Sequence, residues 1–152
     1  MVRTSILAAL LGALFALPGM AFGATMEDAS VAQLKERLAH ASPGEQPNLC
    51  LEIAQLSLAE ASAFYNGNDP DKGAVALGDV AEYSERAGSS AIQARSHEKQ
   101  TEIAVRKLIR RLGDMKHQAV REDQIAMQST IDRLERVRDS LLLAMFPKNP
   151  HR

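Results

Sequence analysis

This chain has no tryptophan, one cysteine and few aromatic residues, which make up 4% of its 152 residues. A single cysteine excludes a disulfide within the chain. Cys50 is therefore either a buried small hydrophobic residue, which we favour, or a thiol that pairs with another chain or a small thiol. Because binding of single-stranded nucleic acid relies on aromatic stacking, and because the pI is near 6.4, we expect no nucleic-acid partner.

The sequence also lacks the motifs of common catalytic centres. It has no glycine-rich phosphate loop, no Gly-x-Ser-x-Gly, no His-Glu-x-x-His and no Cys-x-x-Cys-His. Glu36 with His40 and Asp114 with His117 have helical spacing, so each pair could supply two metal ligands. A metal site in a helical bundle draws such pairs from several helices, so solvated surface histidines fit the pattern better. We expect no enzyme activity and no cofactor; the alternative is a metal-binding or metal-sensing bundle that uses His97 or His117.

A long apolar run occurs only at the start of the chain. Arg3 precedes the apolar stretch Ile6–Leu17, and the helix-breaking Pro18-Gly19 and several small residues follow. This order is typical of a secretory signal peptide, with Ala21-Phe22-Gly23 as the best cleavage pattern. We expect residues 1–23 to be a cleaved signal peptide and the protein to be periplasmic or secreted. An uncleaved N-terminal membrane anchor is the lesser alternative, because a spanning helix needs about 20 uninterrupted apolar residues.

The rest of the chain shows no strict alternation of apolar and polar residues, which argues against β-strands. Apolar residues instead recur at helical spacing. The sequence predicts an all-α fold: an antiparallel helical bundle of four to five helices that forms a single domain over residues 24–152. The predicted helices cover approximately residues 27–41, 46–66, 70–87, 89–121 and 123–146, and a short disordered tail covers residues 147–152. We expect the last helix to start within Arg121-Glu122-Asp123, with Asp123 as its cap.

Two interruptions of the helical pattern differ in clarity. Asn66–Pro70 is a clear turn, in which we expect Gly67 to adopt a left-handed conformation, Asp69 to cap the next helix and Pro70 to begin it. Gly88-Ser89-Ser90 is less clear, because it can end one helix and cap the next or bend a single long helix over residues 70–121. We favour the bend.

The residues around the first turn resemble those of a known helical repeat. Ser62, Tyr65, Ala74 and Ala81 match positions of a tetratricopeptide helix pair, and the resemblance covers about 30 residues. Gly78 stands where that family has a bulky residue, and no second unit follows at the required period of about 34 residues. The resemblance implies a helical hairpin, but a single unit does not imply a peptide-binding groove.

Charge is distributed unevenly along the chain, although the net charge is only −1. Residues 26–88 hold four Lys/Arg against eleven Asp/Glu, whereas residues 95–121 hold eight Lys/Arg against three Asp/Glu. At about 100° per residue, the apolar residues of a helix over 91–121 fall on one side and a basic stripe falls on the other. This candidate contact surface consists of Arg95, Lys99, Arg106, Arg110 and Arg121.

Two interpretations of the basic stripe remain open. It is either a solvated helix face, partly neutralised by the acidic hairpin over 45–87, or it binds an acidic protein, a cell-wall polymer or an anionic lipid surface. The apolar stripes over 105–119 and 125–145 could also pair between two chains in a homodimer. On the binding interpretation, the sequence predicts an exported, non-enzymatic protein that acts by helix-mediated binding in the cell envelope, as an adaptor, a chaperone-like protein or an assembly factor.

Overall fold

The computed structural model describes residues 30–147, and every regular element in this range is an α-helix. The five helices pack around one apolar core, which confirms the predicted all-α bundle. The predicted signal peptide and the tail beyond Pro147 lie outside the described residues. The helices are α1 (Val31–Ala39), α2 (Gln46–Asn66), α3 (Pro70–Ala94), α4 (Glu98–Gln118) and α5 (Arg121–Met145).

Helix α1 begins with a capping box. The backbone N–H of Gln33 donates to the Ser30 hydroxyl at 3.3 Å, and the backbone N–H of Ser30 donates to the Gln33 side chain at 2.9 Å. These reciprocal bonds satisfy two of the donors that a helix start leaves free. The predicted start at residue 27 lies outside the described residues, and the helix ends at Ala39 rather than at residue 41.

Helices α2 and α3 form an antiparallel hairpin around the predicted turn at Asn66–Pro70. Asp69 caps α3 through its side chain and Pro70 is the first helical residue, as predicted. The left-handed residue is Asn68, whose φ is 62°, whereas Gly67 has a φ of −83°. Asparagine tolerates the left-handed region better than most residues, so the turn does not need glycine there.

The predicted bend or break at Gly88-Ser89-Ser90 is wrong, because α3 continues through these residues to Ala94. Gly88 is buried, and Val137 of α5 occupies the space beside its α-carbon. The glycine therefore permits a close approach of two helices rather than ending one of them.

The chain reverses direction at Arg95–His97 instead. Arg95 and His97 both have left-handed backbone conformations, with φ of 50° and 65°, and they end α3 and start α4. The single long helix over residues 70–121 is therefore excluded, and α4 begins at Glu98 rather than at residue 89.

Helix α5 begins two residues earlier than predicted. Its N-cap is Val120, so Arg121 is its first residue and Asp123 is not its cap. The helix ends at Met145, one residue before the predicted end. The existence of the final helix is thus confirmed, whereas its predicted first residue and its predicted cap are wrong.

Helices that follow one another in the chain run antiparallel, and the hairpins α2–α3 and α4–α5 pack side by side. Glu85 contacts Arg133 and Gly88 contacts Val137, so residue numbers rise together along α3 and α5. These two helices therefore run parallel. Helix α1 lies against α2, and an ion pair with α3 holds it there.

The predicted apolar stripes face the interior. On α4, Val105 and Leu112 are fully buried and Leu108 is 2% exposed, while Arg106 and Arg110 face solvent. The structure thus confirms which side of α4 faces the core. The hairpin implied by the tetratricopeptide resemblance is present.

Candidate functional site

The five residues of the predicted basic stripe do not lie on one helix. Lys99, Arg106 and Arg110 lie on α4, whereas Arg95 follows the last residue of α3 and Arg121 is the first residue of α5. All five are exposed. The stripe is therefore three residues on α4 with one arginine beyond each end of that helix.

Two further cations widen this surface. Lys107 and Arg111 are exposed and each follows a predicted site residue directly, which places each about 100° further around the helix. The prediction omitted them because it considered only the narrow stripe opposite the core. We call Lys99, Arg106, Lys107, Arg110 and Arg111 together the α4 basic surface.

One member of the α4 basic surface forms an ion pair within residues 30–147. Arg106 Nη2 lies 3.4 Å from Oε2 of Glu102, one turn earlier on α4. The Glu102 side chain is 11% exposed, whereas that of Arg106 is 56% exposed. Arg106 therefore compensates the charge of a carboxylate that has little access to water, and the other four cations have no ion-pair partner in this part of the chain.

The acidic hairpin α2–α3 does not neutralise the α4 basic surface by direct contact. Its ion pairs to other helices join Asp79 to Lys35 of α1 and Glu85 to Arg133 of α5, each at 2.8 Å. None of the ion pairs formed by the described residues connects α4 to α2 or α3. The separation of charge along the sequence therefore persists in the folded bundle.

The bridge between Glu85 and Arg133 is bidentate. Nε and Nη2 of Arg133 each donate to one carboxylate oxygen at 2.8 Å. These bonds favour the charged guanidinium and raise the pKa of Arg133 above its usual value. This acidic residue of α3 is thus already satisfied by α5 and is not available to α4.

The histidines of the metal-binding alternative lie at opposite ends of α4. His97 precedes the helix and His117 is its penultimate residue, so a rise of about 1.5 Å per residue separates them by roughly 30 Å. Within residues 30–147, no three His, Cys, Asp or Glu side chains are placed to hold one metal ion. Neither histidine is therefore part of a three-ligand cluster in this part of the chain, and the two cannot share one metal ion.

Cys50 is buried, with 1% of the residue exposed, as we favoured from the sequence. Removal from water disfavours the thiolate and raises the pKa of this thiol, although the positive charge of Arg86 opposes the shift. A buried and protonated thiol is a poor nucleophile and a poor metal ligand. Cys50 therefore behaves as part of the core.

The apolar stripes proposed for a homodimer are used within the chain, since Leu108 of α4 and Leu134 of α5 are both buried. A dimer would need other apolar side chains. Among the described residues, the exposed large apolar side chains are Val75, Val120, Ile125, Leu142, Leu143 and Phe146.

The described helices define an all-α bundle that presents a basic helix to solvent. Comparison of this chain with protein-family models, with curated proteins and with solved structures finds no match. Within residues 30–147, each helix is too short or too polar to span a membrane.

Proposed function

We propose that this protein is exported and acts without catalysis, by binding an acidic partner in the cell envelope through the α4 basic surface. Its role would be that of an adaptor, a chaperone-like protein or an assembly factor. The observation that carries the proposal is the exposure of five cations along α4, four of which have no ion-pair partner within residues 30–147.

The electrostatics of this helix favour an anionic partner. Like charges one turn apart, such as Arg106 and Arg110 or Lys107 and Arg111, repel one another by a few tenths of a kcal/mol per pair. A bound anionic surface would reduce this repulsion. Each exposed cation would contribute about 1 kcal/mol to the free energy of binding at low ionic strength. Salt would weaken the attraction, because the Debye length falls to about 8 Å at physiological ionic strength.

Export is supported by the composition of residues 1–23, which combine Arg3, an apolar run and small residues in the order of a signal peptide. The described bundle is compatible with an oxidising compartment. Its one cysteine is buried, so the fold neither needs a disulfide nor exposes a thiol.

The test is a charge reversal at Lys107 and Arg110, which form no ion pair. Arg106 is unsuitable, because Arg106→Glu would place a second negative charge beside the nearly buried Glu102 and would destabilise α4. The matched control is the pair Arg37→Glu and Arg136→Glu, which reverses two exposed cations outside the α4 basic surface and changes the net charge equally.

Retention is measured on vesicles of anionic lipid, on vesicles of neutral lipid, on isolated cell-wall polymer and on immobilised envelope proteins. The unaltered protein and the control should be retained on one anionic support, and the Lys107→Glu/Arg110→Glu variant should bind at least about tenfold more weakly. The support that retains the protein identifies the class of partner. Equal retention of both variants, with equal helicity by circular dichroism, would contradict the proposal.

A further inference from the structure

A small cavity lies where the tips of the two hairpins meet. It has a volume of about 210 Å³ and lies between the end of α2 with its following turn and the α4–α5 turn. One wall is apolar and includes Met115 and Met127. The polar side chains that line the cavity are Ser62, Tyr65, Asn66, Asn68, Gln118 and Asp123.

The ring of Tyr65 fits against α3 because Gly73 has no side chain. The ring of Tyr65 lies flat against α3 at Gly73, where a β-carbon would come within 2.7 Å of the ring atom Cε2. Any larger residue at Gly73 would displace the ring. Burial raises the pKa of the Tyr65 hydroxyl, and the negative charge of Asp123 raises it further, as expected for two groups that share this small space.

Asp123 does not cap α5, contrary to the prediction from the sequence. It lies in the first turn of α5, where the helix dipole favours a negative charge, but no side chain caps this helix start. The residue is partly buried, and its carboxylate forms no ion pair and accepts no hydrogen bond from any residue in the described range.

The other polar side chains of the lining are also unused. Within residues 30–147, no hydrogen bond is formed by the side chains of Ser62, Tyr65, Asn66, Asn68 or Gln118. Ser62 and Tyr65 are partly buried, whereas Asn66, Asn68 and Gln118 are exposed to solvent. Because none of the six polar side chains of the lining bonds another protein group in this range, each can exchange a bound water for a ligand.

We propose that this cavity binds a compact molecule that carries an ammonium group next to hydroxyl groups, such as an amino alcohol or an amino sugar. Asp123 is the charged group of the lining, so it selects a cation and repels an anion. The hydroxyl of Tyr65 and the amides of Asn66, Asn68 and Gln118 supply both donors and acceptors, which hydroxyl groups match. The volume lies below the roughly 300–1,000 Å³ of pockets for drug-sized molecules, which limits the ligand to about the size of a monosaccharide.

This site is independent of the α4 basic surface, because its charge has the opposite sign and its ligand is a cation. A failure of one proposal therefore leaves the other standing. The contrast also separates the experiments, since anionic supports report on the basic surface and small ammonium probes report on the cavity.

The test is a titration of the isotopically labelled full chain, followed by amide chemical shifts, with ethanolamine, glucosamine and glucose as probes. Both ammonium probes should shift the signals of residues around the cavity, and glucose should bind more weakly than glucosamine because it lacks the cation. Asp123→Asn should weaken binding by at least about tenfold, the loss expected for a charge-assisted hydrogen bond. Tyr65→Phe, which keeps the ring against Gly73, should weaken binding by a smaller factor.

Glu122→Gln is the matched control, because Glu122 is an exposed carboxylate in the same first turn of α5. It removes the same charge from the same helix start and should leave binding unchanged. The site would be refuted if neither ammonium probe shifted the cavity signals, if glucose bound as well as glucosamine, or if Asp123→Asn and Glu122→Gln behaved alike. Unperturbed chemical shifts away from the cavity show that each variant is folded.

Discussion

Gly88 of α3 and Val137 of α5 approach so closely that a β-carbon on Gly88 would lie 2.6 Å from Cγ1 of Val137. Both residues are buried. The contact sets the distance between the two hairpins, and on the same side of α3 it brings Glu85 within reach of Arg133. The absence of a side chain at Gly88 therefore allows α3 and α5 to pack closely at this point.

We expect Gly88→Ala to lower the free energy of unfolding by about 1–3 kcal/mol, the usual cost of overpacking a buried contact. The clash should outweigh the gain of roughly 1 kcal/mol that alanine brings to a helix interior. Urea denaturation followed by circular dichroism measures the difference. Adding Val137→Ala should recover part of the loss, because it removes the atom that the new β-carbon meets.

Gly78→Ala is the control for this substitution. Gly78 lies in the same helix, is exposed, and has no atom within 4 Å of its prospective β-carbon. Its replacement should raise the free energy of unfolding by about 0.5–1 kcal/mol. Equal stabilisation by both alanines would show that α3 and α5 are not in close contact at Gly88.

The periodicity of apolar residues predicted the buried faces correctly, because burial of one helix face is what produces the pattern. Val105, Leu108 and Leu112 are examples. The helix ends were harder to predict, since the meaning of a glycine depends on its surroundings. The sequence indicates a bend or a break at Gly88 because its neighbours in sequence are serines, whereas Val137, a residue of another helix, determines its role.

No glycine or proline in the sequence marks the chain reversal between α3 and α4. The reversal uses left-handed conformations at Arg95 and His97. Arg95 was therefore assigned to the basic helix, although it follows α3. The positions on α4 itself could be predicted, because the side of a helix opposite its apolar stripe is exposed wherever the helix packs on one side only.

The cavity could not be predicted from the sequence at all. Its lining comes from residues 62–68, 115–120 and 123–127, and only the packing of one hairpin on the other brings these segments together. Asp123 illustrates the difficulty. Its position before an apolar periodic segment indicates a helix cap, and only the fold shows that the carboxylate faces a cavity.

The pair of Tyr65 and Asp123 allows a prediction that needs no ligand. Asp123→Asn should lower the pKa of Tyr65 towards its usual value of about 10, but burial, the larger cause, should keep the pKa above that value. A pH titration of tyrosinate absorbance measures the shift, and Tyr65→Phe identifies which of the two tyrosines is responsible. Glu122→Gln should leave the Tyr65 transition in place; an equal shift in both variants would mean that Asp123 does not face Tyr65.

The same pKa implies a loss of stability at high pH. The folded protein holds the Tyr65 proton more tightly than the unfolded chain does, so this proton contributes to the free energy of unfolding. The contribution is complete below pH of about 10 and is lost as the pH rises through the pKa of Tyr65 in the folded protein. Asp123→Asn should reduce this loss. Unfolding curves at neutral pH and above pH of about 10 would show it, with Tyr65→Phe as the variant in which the contribution is absent.

The burial of Cys50 predicts slow chemistry at the thiol. Iodoacetamide should modify the folded protein only as fast as the core opens, because the thiol is both inaccessible and protonated. Mass spectrometry of samples taken over time measures the rate, and the same protein in denaturant should react at the rate of a free thiol. Rapid labelling of the folded protein, or a disulfide-linked dimer on a non-reducing gel, would contradict the assignment of Cys50 to the core.

Arg106 has a structural role that the other members of the α4 basic surface lack, because Glu102 beside it is nearly buried. Arg106→Gln should therefore lower the free energy of unfolding by about 1 kcal/mol, less than for a fully buried pair since Arg106 itself is more than half exposed. The double variant Glu102→Gln/Arg106→Gln should recover most of this loss, because it removes the carboxylate that is left without compensation. Arg110→Gln is the matched control and should change stability by less than about 0.5 kcal/mol, as an exposed residue with no ion pair does. If Arg106→Gln and Arg110→Gln had equal effects in urea denaturation, the contact with Glu102 would carry no stability, and Arg106 would be as free to bind a partner as its neighbours.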